Sequence, residues 1–315
     1  MMTQLLRRPI AARLAWPVLL ALSAFAQSAQ APAAGSAVQV EMSNVLYHFT
    51  PGISVHITQL RGELLPRDPG SFPIFDDKNS FTLSIHSGVI AIPLASLAND
   101  LNQRVFAASN APIKDISLSS NAGRLKIKGK LHSKGDVPFE SEGALAATSD
   151  GKIRLHAEKV KALHLPVEGL MDLFGIEIAD LIKTNKLVGV RAEKDDIILD
   201  PAAILPPPQI AGKVSEVRLE GDNIVQVFGG PINWRPSMPG NYMAYRGNRL
   251  RFGKLTMQDT DMILIDLNPA DPFDFALDRY GEQLTAGYTK ITPQFGLRVY
   301  MRDLNKLATK QSTKK

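Results

Sequence analysis

The sequence predicts an α+β fold, mostly β, in which a long curved antiparallel sheet wraps two amphipathic helices, a half-barrel with a β-rich C-terminal extension. Three observations predict it. Apolar and polar residues alternate through most of the chain after residue 44, turn residues separate these runs at hairpin spacing, and only two segments change to a period near 3.6. Alternation gives each strand one dry and one wet face, which is the pattern of an antiparallel sheet.

Taken in order, residues 1–26 carry Arg7, Arg8 and Arg13 without an acid, then an apolar run from Leu14 to Phe25 and the small-residue ending Ala24-Phe25-Ala26. This is the layout of a secretory signal peptide cut after Ala26. The alternative is a retained anchor, but a spanning helix takes about 20 apolar residues, and this run is shorter and broken by Pro17. Residues 27–38 are small, polar and uncharged, a flexible linker.

Residues 39–229 read as one α+β domain. Ile53, Val55 and Ile57 alternate with polar neighbours, as do Phe81, Leu83 and Ile85. Leu125, Ile127 and Leu131 share a face with Gly129, and Val137, Phe139, Gly143 and Leu145 share the next. Turns at Asn121-Ala122-Gly123, Lys134-Gly135-Asp136 and Asp150-Gly151 make these strands a meander. Pro93 opens the first helix, with a stripe of Leu94, Leu97, Ala98, Leu101, Val105 and Ala108. Pro166 opens the second, with Val167, Leu170, Met171, Phe174, Ile178, Leu181 and Ile182. Proline is tolerated at the first helical turn because its missing N–H has no intrahelical acceptor there. Each stripe must be buried, and the dry face of the sheet is the available surface. Gly129, Gly143, Ala144 and Ala157 on the apolar faces suggest room for a cavity, the alternative being that the same stripes close into a filled, dry core.

Gly229-Gly230-Pro231 reads as a boundary. Residues 230–305 form an aromatic-rich β extension, since 11 of the 19 aromatics outside the leader fall between Phe228 and Tyr300. Single strands are expected over Arg249–Met257, Met262–Leu267 and Leu297–Met301. Residues 306–315 are a disordered basic tail.

Composition narrows the functions. The absence of cysteine excludes disulfides, thiolate metal sites, a cysteine nucleophile and a lipidated N-terminal cysteine. The formal charge of +5 divides unevenly, because residues 27–305 hold 29 bases against 31 acids. A body that binds nucleic acid should be basic in itself, so no nucleic-acid partner is expected. No catalytic motif is present: there is no Gly-x-Ser-x-Gly, no His pair at helical spacing around a Glu and no glycine-rich nucleotide loop. The chain is therefore read as a non-enzyme with no cofactor and no metal site. The acidic run Asp259, Asp261, Asp266, Asp271, Asp274 and Asp278 lacks calcium-loop spacing and reads first as turn and surface acids, with a structural cation site or the acid–base pair of a hydrolase as the alternatives. Lys126, Lys128 and Lys130 form a basic row on the wet face, either solvated or placed against anionic headgroups.

Several stretches together resemble a known family. They are IPLASLANDLNQRVF (Ile92–Phe106), RLKIKGKL (Arg124–Leu131), the Val137-Pro138-Phe139 strand, GALAATSDGKIRLHA (Gly143–Ala157) and LPPPQIAGKVSEVRLEGDNIVQVFG (Leu205–Gly229). The segment they span is similar to the LmeA-like phospholipid-binding proteins and, more loosely, to the tubular lipid-binding (TULIP-type) proteins of cell envelopes. The leader and the missing cysteine imply a periplasmic or secreted, soluble protein, not a lipoprotein, and the resemblance implies one that binds or transfers a phospholipid or similar acyl-chain ligand in an apolar groove. The groove candidates are Leu94, Leu97, Leu101, Val105, Leu125, Ile127, Phe139, Leu145, Leu170 and Phe174. Lys126, Lys128 and Lys130 are the candidates for headgroup or transient membrane contact. The alternative function is a non-catalytic envelope scaffold or assembly factor acting through the aromatic extension.

Overall fold

Three long strands make the spine of the molecule: β1 (Val38–Thr50), β2 (Ile53–Pro66) and β3 (Phe81–Pro93). They pair antiparallel in sequence order, and their dry residues alternate as the sequence predicts, with Ile53, Val55, Ile57, Phe81, Leu83 and Ile85 all buried. The computed structural model describes residues 37–132, 136–162 and 187–307. The leader, residues 27–36 of the linker, the second expected helix with Leu170 and Phe174, and the tail from residue 308 lie outside the described residues.

Helix α1 (Leu94–Asp100) follows β3 directly and continues into a π-helical turn, Leu101–Val105. It bridges two sheets. The Ser96 hydroxyl lies 3.3 Å from the backbone N–H of Ser54 at the start of β2. On the other side, Asn102 donates to the Ile116 carbonyl at 2.7 Å and accepts from its N–H at 2.9 Å. The second sheet comprises β4 (Ile113–Asn121), β5 (Arg124–His132), β6 (Asp136–Ala147), β7 (Ile153–Ala162), β8 (Val190–Glu193) and β9 (Asp196–Leu199). Its order is β4-β5-β6-β7-β9-β8, an antiparallel meander closed by a hairpin.

The chain then returns to the first sheet. A short helix, Pro201–Ile204, leads to β10 (Gln209–Ala211), β11 (Val214–Glu220) and β12 (Asn223–Phe228) on the β3 edge. After residue 230 come β13 (Tyr242–Gly247), β14 (Leu250–Phe252), β15 (Leu255–Met257), β16 (Thr260–Asp266), β17 (Phe273–Ala276), β18 (Tyr288–Ile291) and β19 (Leu297–Met301). The single strand expected over Arg249–Met257 is instead the β14–β15 hairpin, because Gly253 at φ 57 turns the chain between Phe252 and Leu255.

The completed first sheet runs β11-β12-β3-β2-β1-β13-β16-β19-β18, with β10 and β17 paired beside this path. Both sheets are open, and neither closes into a barrel. β13 pairs with β1 from Val38↔Gly247 to Ser43↔Tyr242, so the sheet continues without a break into the aromatic-rich stretch. Beyond Asn44 the same edge of β1 pairs with β17 instead. Asn44 marks the change of partner with φ 51, a left-handed conformation that asparagine tolerates better than most residues.

One apolar core runs through both sheets and includes Leu60, Leu94, Leu125, Phe139, Phe228, Phe273 and Phe275. The glycines that the sequence offers as empty volume serve a different end. A Cβ on Gly143 would lie 2.3 Å from the His156 carbonyl oxygen. Gly143 therefore permits close approach of β6 and β7 at a bulge between Glu142 and Gly143, and leaves no hole.

Candidate apolar binding site

The eight described groove candidates are packing residues. Leu94, Leu97, Leu101, Leu125 and Phe139 are buried in the common core, and Val105, Ile127 and Leu145 pack partly exposed against it. Leu94, Leu97, Ala98 and Leu101 of the α1 stripe are all buried.

A cavity lies elsewhere, on the dry face of the spine. Its walls are Val55, Ile57 and Leu60 of β2, Phe81, Leu83, Ile85 and Ile90 of β3, and Met42, Tyr47 and Phe49 of β1. Leu205, Pro208 and Ile210 close one side, and Phe75, Tyr245, Phe275 and Leu277 close the other. The lining contains no charged side chain. Free space within it is about 50 Å³, against roughly 10–15 Å³ for one water-sized group. A short chain of roughly three to five such groups fits without movement of the walls. The alternation of β2 and β3 marks these wall residues as dry, yet alternation says nothing of whether opposing side chains meet. That depends on Phe75 and residues 205–210, which approach from distant points in the sequence.

Two phenol groups give the cavity its only polarity. Phe75 sits at the centre of an aromatic cluster, 5.5 Å from Tyr245, 5.1 Å from Phe252, 6.1 Å from Phe275 and 5.6 Å from Tyr280. Tyr47 packs 5.8 Å from Phe275. The Tyr245 hydroxyl reaches only the Met243 sulfur, at 3.8 Å, and the Tyr47 hydroxyl makes no hydrogen bond to a described residue. Burial holds both phenols well above their ordinary pKa, so they are neutral donors. A buried hydroxyl normally finds a partner. The pair is thus suited to a ligand acceptor such as a carbonyl oxygen. Sequence reading singles out Tyr245 only as one aromatic among many and passes over Tyr47, because an isolated tyrosine in a strand carries no spacing signal.

The basic row is neutralised across its strands. Lys126 lies 2.6 Å and Lys128 3.4 Å from Glu140 on β6, and Lys130 lies 2.6 Å from Asp115 on β4. These partners raise the pKa of Lys126 and Lys130, and Lys126 foremost lowers that of Glu140. Four members of the acidic run have partners of their own. Asp261 pairs with Arg298 at 2.9 Å, Asp278 with Lys78 at 2.9 Å and Asp274 with His48 at 2.6 Å, while Asp266 accepts from Asn241 at 2.9 Å. Among the described residues no group of three His, Cys, Asp or Glu side chains is arranged to hold a metal ion. Nor is any described helix long and apolar enough to cross a membrane. Half of the aromatics of the extension are core residues, with Tyr242, Phe273 and Phe275 fully buried.

Comparison with family models, curated proteins and solved structures finds no match to this chain, and so no catalytic relative.

Proposed function

We propose that the protein binds an acyl-chain ligand of the phospholipid class in the cavity between β1–β3 and the Phe75 cluster, after export to a periplasm or the cell exterior. The supporting observation is the cavity itself, apolar on every wall and lined by the phenols of Tyr47 and Tyr245. Each methylene moved there from water contributes about 0.8 kcal/mol, and each phenol hydrogen bond to a ligand carbonyl adds roughly 0.5–1.5 kcal/mol. The space is too short for a complete long acyl chain, so such a ligand enters by its terminal methylenes or by parting the walls. The leader sequence supports export, and the absence of cysteine supports a protein without a lipid anchor.

The test is solvent extraction of the purified protein with mass spectrometry, beside titration with a fluorescent fatty-acyl probe. Leu83→Trp, which fills the cavity, should abolish uptake, and Tyr47→Phe should weaken it several-fold with the fold intact by circular dichroism. A wild-type protein that yields no lipid and takes up no probe sinks the proposal.

A further inference from the structure

We propose that the β18–β19 hairpin docks the protein on an anionic lipid bilayer, with Phe295 and Ile291 in the interfacial layer and Lys290 among the headgroups. At its tip Phe295 is 90% and Ile291 73% exposed. The tip is built rather than loose. The Thr292 N–H donates to the Gly296 carbonyl at 2.8 Å, the Phe295 N–H to the Thr292 carbonyl at 2.9 Å, and the Gly296 N–H to the Thr292 hydroxyl at 2.9 Å.

Within this turn Phe295 has φ 62, a conformation suited to glycine or asparagine and costly for a bulky side chain. The same residue therefore carries backbone strain and a phenyl ring held in water. Neither serves folding, and such outliers point to function.

The surroundings favour a bilayer over a protein pocket. Behind the tip, Tyr288 stacks on Tyr300 with ring centres 4.5 Å apart, and the Lys290 ammonium lies 5.4 and 5.6 Å from the two rings. Tyrosine and lysine are the side chains that settle at headgroup level. Tyr288 stands three residues before Ile291, about 10 Å along a strand, which matches the roughly 5–10 Å depth of interfacial insertion.

Charge agrees. From Tyr288 to Tyr300, the two strands and the tip hold Lys290 and Arg298 and no acid. Strand register brings the ends of β13 and β16 to the same end of the sheet, adding Arg246 and Arg249 against Asp259 and Asp261. Asp261 is engaged by Arg298 at 2.9 Å, which leaves Lys290 for a lipid phosphate. None of these residues lines the cavity, so the proposal stands even if the cavity holds nothing.

The experiment is sedimentation of the purified protein with vesicles of phosphatidylglycerol and phosphatidylethanolamine, and with phosphatidylcholine alone. The expected result is salt-sensitive binding to the anionic vesicles, about tenfold or more weaker in Phe295→Gly and in Ile291→Ser. Phe295→Gly should melt no lower than wild type, since glycine suits the turn. Phe295→Trp should keep binding, and its fluorescence should be quenched by lipids brominated near the glycerol end of the acyl chains. Wild-type affinity in Phe295→Gly, or an unquenched tryptophan at 295, overturns the docking. Equal binding to phosphatidylcholine overturns the anionic preference.

Discussion

Replacing Asp303 by asparagine should stabilise the protein, and increasingly so as pH rises. Asp303 is 1% exposed and lies near two other buried carboxylates, Asp266 and Asp274. Its Oδ1 accepts from the Asp274 N–H at 2.9 Å, while its Oδ2 is buried with no partner. Asp274 is offset by His48 at 2.6 Å and the Asn305 N–H at 3.1 Å, and Asp266 by Asn241 at 2.9 Å and the Asn268 N–H at 2.7 Å. Among the described residues Asp303 has no cation. Burial first, and then the charges of Asp266 and Asp274, raise its pKa against the opposing Asp274 N–H and the Asn268 side chain. A raised carboxyl contributes stability that is complete below the unfolded value of 3.8 and is lost as pH rises through the folded value. Asparagine keeps the Oδ1 acceptor, removes the charge and offers an N–H to the neighbouring carboxylates. Relieving one buried unsatisfied group is worth about 1–3 kcal/mol. Urea denaturation of both proteins from pH 3 to pH 8 measures the difference, which should be near zero at the acid end and grow toward neutrality. A variant less stable than wild type by the same amount at every pH would refute the reasoning, since Asp303 would then be a favourable acceptor and no strained charge.

Other outcomes follow from the packing. Leu101→Ala should cost about 2–5 kcal/mol, as core truncations do, yet leave acyl-probe uptake intact at temperatures where it is folded, because Leu101 lies outside the cavity walls. Gly143→Ala should lower the denaturation midpoint by several °C or prevent folding, since its Cβ would meet the His156 carbonyl at 2.3 Å. Arg104→Ala removes the partner 2.8 Å from the fully buried Asp100, whose carboxyl is raised by burial against the pull of Arg104. The loss should be about 1–3 kcal/mol, below that for a wholly buried pair because Arg104 is partly in water, and Asp100→Asn should recover part of it. Glu41 is lowered despite its burial by bonds from Tyr242, Ser237 and Arg61, so its stabilisation is present above 4.5 and lost as pH falls below it. Arg61 also covers Trp234 at 3.9 Å, and a change in tryptophan emission over that acid range is the readout.

The spine of the fold was legible because its strands are long and half-buried. Ile53, Val55 and Ile57 can alternate cleanly only where one face is dry, and the meander from β4 to β7 announces itself by its turn residues. The first helix is legible for a similar reason, with Pro93 before a stripe of 3.6 period. The cavity was not. Alternation marked Val55, Leu83 and Ile85 as dry in the same way as Leu125 and Phe139, and a period cannot tell a filled face from one with space. The ion-pair partners of the lysine row were equally illegible, since Glu140 and Asp115 face it from other strands.

What the sequence by itself determined is local: strand periodicity, helix initiation and the lack of any cysteine chemistry, each set by residues within a few positions of one another. Tertiary structure alone decided that β13 continues the sheet from β1, that Tyr245, Phe252, Phe275 and Tyr280 pack around Phe75, and that space remains between β2, β3 and residues 205–210. Those outcomes depend on the volumes of side chains that meet across a hundred residues or more, and packing volume, unlike hydropathy, leaves no period in a linear chain.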